Sequence, residues 1–283
     1  MERNDRVNVY KEMRTLYVSD LDGTLLNTND AVSPKSIEII NALVERGMLF
    51  TYATARSLNS ASAVTKGLSA KIPVIAYNGA LIIHPETGEV IASESFEEDE
   101  TAKVIRCLKE HNVSPLVYAY IRHEEKVSWL TARENEGVRR YLSLRRGDRR
   151  LRPLTEKGRL YDGEIFYFTC IGEKEELKPV YDIFSGDEKF TCILQQELYR
   201  PEYWCEIMPK KATKANAVAK LKKLWGCDRV VSFGDAVNDI PMFRISDACY
   251  AVENAVEELK TMADGIIPGN DADGVAMWLK ENV

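Results

Sequence analysis

Leu16-Tyr17-Val18-Ser19-Asp20-Leu21-Asp22-Gly23-Thr24 is the stretch on which the reading of this chain turns. A short apolar run, suited to a buried strand, stops at two carboxylates with one residue between them. In extended backbone, residues i and i+2 point the same way, so Asp20 and Asp22 can face one site. Two close carboxylates repel, and one tends to take up a proton unless a cation sits between them. A hard divalent ion with oxygen ligands removes that conflict, and magnesium is the usual ion where a phosphate supplies further ligands. Gly23 permits the turn and Thr24 can bond to the loop backbone. Taken alone, the same residues could also form a merely polar turn.

Working outward, Ser33 to Gly47 reads as a helix, with Ser33 as cap, Pro34 in the first turn, and Ile37, Ile40 and Val44 on one face. Met48–Ala53 is a second strand, ending at Thr54-Ala55-Arg56, and Ile72–Tyr77 a third, ending at Asn78-Gly79. Such alternation predicts a parallel sheet covered by helices. From about Glu97 the pattern changes: a helix at Asp99–Glu110, strands at Pro115–Ile121, Val127–Leu130, Glu164–Ile171, Thr191–Leu198 and Tyr203–Met208, and a helix near Glu175–Phe184. Strand–helix alternation resumes after Pro209. Residues 1–83 and 209–283 are therefore expected to form an α/β core, with 84–208 inserted as an α+β domain.

Polar clusters follow the apolar strands of the core. Asp20, Thr54, Asn78 and Asp235 each come at or near a strand end, and ligands of open α/β sheets bind at the carboxyl ends of strands. In Gly234-Asp235-Ala236-Val237-Asn238-Asp239, a helical turn would bring Asp235 and Asp239 to one side. Asp239 before Pro241 could equally be a helix cap. Lys214 follows the expected helix cap Thr213, a place where the helix dipole disfavours a cation; nearby anions would offset this, although Lys210 and Lys211 make a surface lysine equally natural. Thr54 and Arg56 could hold phosphate oxygens, and Asn78-Gly79 is also a common hairpin-turn pair.

Bulk properties narrow the function classes. A net charge of −6 gives no global attraction for nucleic acid or an anionic membrane. Seven arginines between Arg139 and Arg152 could line a route for an anionic substrate or form a solvated surface. The six cysteines show no C-x-x-C pair and several lie in apolar runs, as buried thiols of a reducing cytosol would. Neither a signal peptide nor a membrane-spanning run is expected, so a cytoplasmic location is.

The motifs as a set resemble those of haloacid dehalogenase superfamily phosphatases. Asp-Leu-Asp-Gly-Thr at 20–24 looks like the first signature, Thr54 the second, Lys214 the third and Gly-Asp-x-x-Asn-Asp at 234–239 the fourth. Asn78-Gly79-Ala80, Asn254-Ala255 and Asp273-Gly274-Val275-Ala276 resemble the Cof-type branch, whose inserted domain is a C2-type cap. The resemblance implies a Rossmann-like parallel-sheet core that hydrolyses small phosphomonoesters, sugar phosphates among them, with 84–208 as the cap that selects the substrate. Asp20 would attack phosphorus and Asp22 would act as acid and then base. Magnesium would be held by Asp20, the main-chain carbonyl of Asp22, and Asp235. Thr54 and Lys214 would hold the phosphoryl group, with Ala55, Arg56, Asn78 and Gly79 beside the substrate, while Asn238 and Asp239 would orient Lys214 and metal-bound water. Ala55 and Glu253 stand where many relatives have glycine. The motifs are equally compatible with a phosphomutase, or with a non-catalytic protein that binds a phosphorylated metabolite, and they leave the oligomeric state open.

Overall fold

A computed structural model describes residues 13–69, 71–122, 124–196 and 201–283. Most of the polar extension before Thr15, His123, and the end of the strand expected at Thr191–Leu198 lie outside the described residues. In chain order the elements are β1 (Thr15–Ser19), α1 (Pro34–Glu45), β2 (Leu49–Tyr52), α2 (Leu58–Val64), β3 (Val74–Ala76), β4 (Leu81–Ile83), β5 (Val90–Ser93), α3 (Glu98–Glu110), β6 (Leu116–Ile121), β7 (Glu124–Leu130), α4 (Glu136–Ser143) and β8 (Leu151–Leu154). They continue as β9 (Glu164–Gly172), α5 (Lys174–Phe184), β10 (Phe190–Gln196), β11 (Tyr203–Pro209), α6 (Lys214–Leu224), β12 (Arg229–Gly234), α7 (Ile240–Ile245), β13 (Ala248–Val252), α8 (Glu257–Met262), β14 (Gly265–Ile267) and α9 (Gly274–Asn282).

The chain divides into two units. One holds the segment ending at Ala76, Ile83–Glu89 and Lys214–Val283; the other holds Tyr77–Ile82 and Val90–Thr213. The strand expected at Ile72–Tyr77 is observed as Val74–Ala76, and its end at Ala76 has a backbone cause. Tyr77, Asn78 and Gly79 take φ values of 50°, 55° and 104°. Left-handed backbone cannot continue a strand.

In the first unit five parallel strands lie in the order β14-β13-β12-β1-β2. Strands covered on both faces read as near-continuous apolar runs, and Leu16, Val18, Val230 and Phe233 are wholly buried. Ser33 caps α1 by accepting the Ser36 N–H, and Pro34 occupies the first turn. Register sets Ser19 opposite both Phe233 and Tyr52, so β1, β12 and β2 finish along one sheet edge.

The second unit is built on a six-stranded sheet of order β10-β11-β9-β6-β7-β8, antiparallel except for the parallel β7–β8 pair. Its strands alternate. Phe168 and Cys170 join Val104, Leu108, Leu177 and Phe184 in an apolar cluster shared with α3 and α5, while Tyr167 and Thr169 point to the opposite face by the two-residue period of a strand. Tyr118 and Trp129 are buried, and the Trp129 indole donates to Glu134. Three arginines of the run are held by carboxylates, while Arg139, Arg146 and Arg149 are exposed. Arg150 is bonded to Asp148, Glu125 and the Tyr77 hydroxyl, Arg152 to Asp162 and Ser128, and Arg140 to Glu136 and Glu202. All six cysteines are free thiols. Among the described residues no helix is long and apolar enough to cross a membrane.

Glu206 on β11 supplies a stability test of the second unit. Burial pushes its carboxyl up, partly offset by a hydrogen bond with Tyr167. The folded protein then keeps a proton that the unfolded chain releases above about pH 4.5, so stability falls as pH rises through that window, by about 1.4 kcal/mol per pH unit at most. Glu206→Gln should flatten the fall, read from urea midpoints between pH 4 and 7. Parallel profiles for the two proteins would remove Glu206 from the account.

Candidate active site

The parallel pairing of β1 with β12 brings together acidic groups more than two hundred residues apart. The Asp20 N–H donates to the Phe233 carbonyl at 3.0 Å, which fixes Asp20 just past the strand end, and the Asp20 carboxylate accepts the Leu21 N–H at 2.7 Å. Asp235 begins the loop after β12. Gly23, at φ 75°, turns the chain so closely past it that a Cβ there would overlap the Asp235 carboxylate; glycine is the residue that fits. The Thr24 hydroxyl donates to Asp235 Oδ1 at 2.9 Å.

Lys214 opens α6, and its side chain is wholly buried. Its Nζ lies 2.8 Å from Asp20 Oδ1 and 2.7 Å from Asp239 Oδ1. The cation at an unfavourable helix start is thus held by two carboxylates. Asp239 does not cap α7 with its side chain; its Oδ2 accepts the N–H groups of Asp235 and Ala236, each at 3.1 Å. Carboxylate oxygens of Asp20, Asp235 and Asp239 lie within 4.8 Å of one another.

The charges do not balance. Burial pushes the Asp20 carboxyl up; Lys214 opposes this, while Asp239 and Asp235 add to it. Burial likewise lifts Asp235 to about 6, against the Thr24 hydrogen bond and with help from Asp239. Lys214 is raised despite its burial, because Asp20 and Asp239 hold its proton. Three carboxylates against one ammonium leave a site of hard oxygen donors that favours a further cation, and the donor set fits a magnesium ion.

Of the other residues singled out in the sequence, Asp22 turns its carboxylate to Arg56, whose Nε lies 3.0 and 3.1 Å from its two oxygens; Arg56 also pairs with Asp30. The Asp22 side chain is therefore not part of the acidic trio, and the Arg56 guanidinium is engaged by two carboxylates. Thr54 is wholly buried at the end of β2, its N–H bonded to the Ile75 carbonyl and its hydroxyl accepting the Arg56 N–H at 3.1 Å. Ala55 is exposed beside it, as is Asn238 beside Asp239; it is Asp239 that holds Lys214. Asn78 and Gly79 belong to the second unit. Two partners escaped the sequence reading. Thr24 bonds to the Asp235 carboxylate rather than to its own loop, and Asp30 anchors Arg56 from a loop that carries no motif.

Comparisons with known proteins identify the family. The model of the haloacid dehalogenase-like hydrolase family matches residues 17–279, and the chain belongs to that family. It is similar to YwtE of Bacillus subtilis, a 5-amino-6-(5-phospho-D-ribitylamino)uracil phosphatase, at 27% identity over 93% of this chain and 96% of the relative. YitU, a phosphatase of the same description from that organism, is 25% identical over 94% of this chain and 96% of its own length. The crystal structure of TM0651 from Thermotoga maritima superposes with a TM-score of 0.76 at 29% identity, covering 96% of this chain and 97% of that one. The chain is accordingly an enzyme, a hydrolase of the haloacid dehalogenase type.

Proposed function

We propose that this hydrolase is a magnesium-dependent phosphatase that cleaves small phosphomonoesters through a phosphoaspartate at Asp20. One observation carries the reading: Asp20, Asp235 and Asp239 converge around the buried Lys214 at the carboxyl edge of the sheet. Asp20 and Asp235, with the main-chain carbonyl of Asp22, would hold the ion, which when bound screens the repulsion between an anionic nucleophile and an anionic phosphate.

The remaining chemistry belongs to the chain itself. A carboxylate oxygen of Asp20 attacks phosphorus, and the bond from phosphorus to the ester oxygen breaks. Asp22 donates a proton to the departing alcohol. The same group then takes a proton from water as the water attacks phosphorus, releasing phosphate and regenerating Asp20. Lys214 and the Thr54 hydroxyl hold phosphoryl oxygens as charge shifts onto them. Asp239 keeps Lys214 aimed at Asp20. Substrate choice is assigned to the inserted residues 84–208, and the working location to the cytoplasm.

The two Bacillus subtilis relatives act, by name, on a phosphorylated ribityl compound. That compound therefore belongs beside sugar phosphates in a phosphate-release panel. With magnesium, at least one phosphomonoester should release phosphate. Excess chelator should abolish release, and added magnesium should restore it. Full activity in chelator would take the ion out of the mechanism, and no release from any substrate would reject the phosphatase reading.

A further inference from the structure

Two loops at the same sheet edge, after β13 and after β14, carry side chains that the mechanism above does not use. The Asn254 amide donates from Nδ2 to the Gly23 carbonyl at 2.7 Å, and its Oδ1 accepts the Asn270 N–H at 3.1 Å. Asn270 repeats the pattern, donating from Nδ2 to the Leu26 carbonyl at 2.8 Å. The Leu26 N–H in turn closes the turn on the Leu21 carbonyl at 2.8 Å. In the loop that carries Asn254, the Val256 N–H donates to the Asp235 carbonyl at 2.8 Å. One short loop therefore grips the main chain on both sides of the acidic cluster, at Gly23 and at Asp235. The Gly23 peptide is confined between the Asp235 carboxylate and the Asn254 amide.

Only an amide side chain offers a donor and an acceptor on neighbouring atoms in this way. Aspartate at 254 would keep the acceptor for Asn270 and lose the donor to Gly23; leucine would lose both. Asn254 is exposed, so its replacement opens no cavity in the core. Hydrogen bonds at an exposed position contribute little to global stability, which leaves local placement as the purpose of the arrangement.

We propose that Asn254 and Asn270 are positioning residues, a paired amide clamp that sets the 21–26 turn, and with it the backbone of Asp20 and Asp22, at a fixed distance from Asp235. The proposal rests on the reading of this cluster as the reaction centre. Displacements of about 1 Å at such a centre lower turnover on the order of a hundredfold, and loss of groups that orient metal ligands weakens metal binding about ten- to a hundredfold.

The test compares wild type with Asn254→Leu, Asn254→Asp, Asn270→Leu and the Asn254→Leu/Asn270→Leu double variant. Magnesium affinity is measured by calorimetry, kcat and KM on the best substrate of the panel, and stability by urea denaturation. Both Asn254 variants should lose magnesium affinity and kcat by about tenfold or more, with KM little changed. The double variant should fall well short of the product of the single losses, since the two amides act as one unit. Magnesium affinity and kcat within twofold of wild type in Asn254→Leu, whatever the urea midpoint does, would overturn the clamp. If wild type releases no phosphate, the phosphatase reading fails by itself, while the magnesium titrations still decide the clamp. Wild type that binds no magnesium would overturn both.

Discussion

Asp20→Asn is expected to fold normally and to release phosphate more slowly by on the order of 10⁴-fold or beyond. Asparagine matches aspartate in shape and keeps an oxygen that can accept the Leu21 N–H and the Lys214 ammonium, which lie 2.7 and 2.8 Å away in the native protein. What it lacks is the anionic oxygen that, in the proposed mechanism, would form the bond to phosphorus. The change also removes one negative charge from a cluster in which burial and two further aspartates already push the Asp20 carboxyl up. In the absence of metal the variant should therefore be at least as stable as wild type. That combination separates loss of chemistry from loss of fold. Residual turnover above about one part in a hundred, in a preparation free of wild type, would move the nucleophile elsewhere.

Lys214→Met should have the largest effect on stability. The ammonium is buried between Asp20 and Asp239, and deleting it leaves two carboxylates facing each other without a counter-charge. Breaking a buried pair of this kind costs about 3–5 kcal/mol. Because protonation removes the repulsion, the loss should be greatest at alkaline pH and shrink as pH falls through the range to which burial raises the Asp20 carboxyl, about 8. Urea denaturation of the metal-free protein at pH 5 and pH 8 reads both the size and the trend. A loss under about 1 kcal/mol at pH 8, the value of a surface pair, would show that Lys214 is not the charge that holds the cluster together.

These residues were legible in the sequence because each marks a conflict. Asp20 ends an apolar strand with a charge, Lys214 puts a cation where the helix dipole repels one, and Asp235 puts a charge directly after β12. Parallel strands align their carboxyl ends, so conflicts at separate strand ends could be expected to meet. Side-chain partners were less legible. Asp22 and Arg56 lie 34 positions apart, and nothing in either segment says that the guanidinium turns to the carboxylate. The arginine run left two readings open for a similar reason: the partners of Arg140, Arg150 and Arg152 are Glu202, Glu125 and Asp162, brought alongside by strand and helix packing. Tyr77 extended the expected third strand because a bulky aromatic seldom takes positive φ; its hydroxyl is held by Glu125 and Arg150, partners that no local pattern announces.

The neighbours of β1 in the sheet carry a consequence for biosynthesis. Its partner β12 begins at Arg229, opposite Thr15, so more than two hundred residues are made between the strand that leads to Asp20 and its flank. While the ribosome works through the intervening stretch, that flank of β1 has no mate and Asp20 has neither Lys214 nor Asp235 beside it. Pairings so remote in sequence form slowly and leave open strand flanks prone to aggregation. A nascent polypeptide released before Arg229 would carry the Asp-Leu-Asp-Gly-Thr signature and yet be inert.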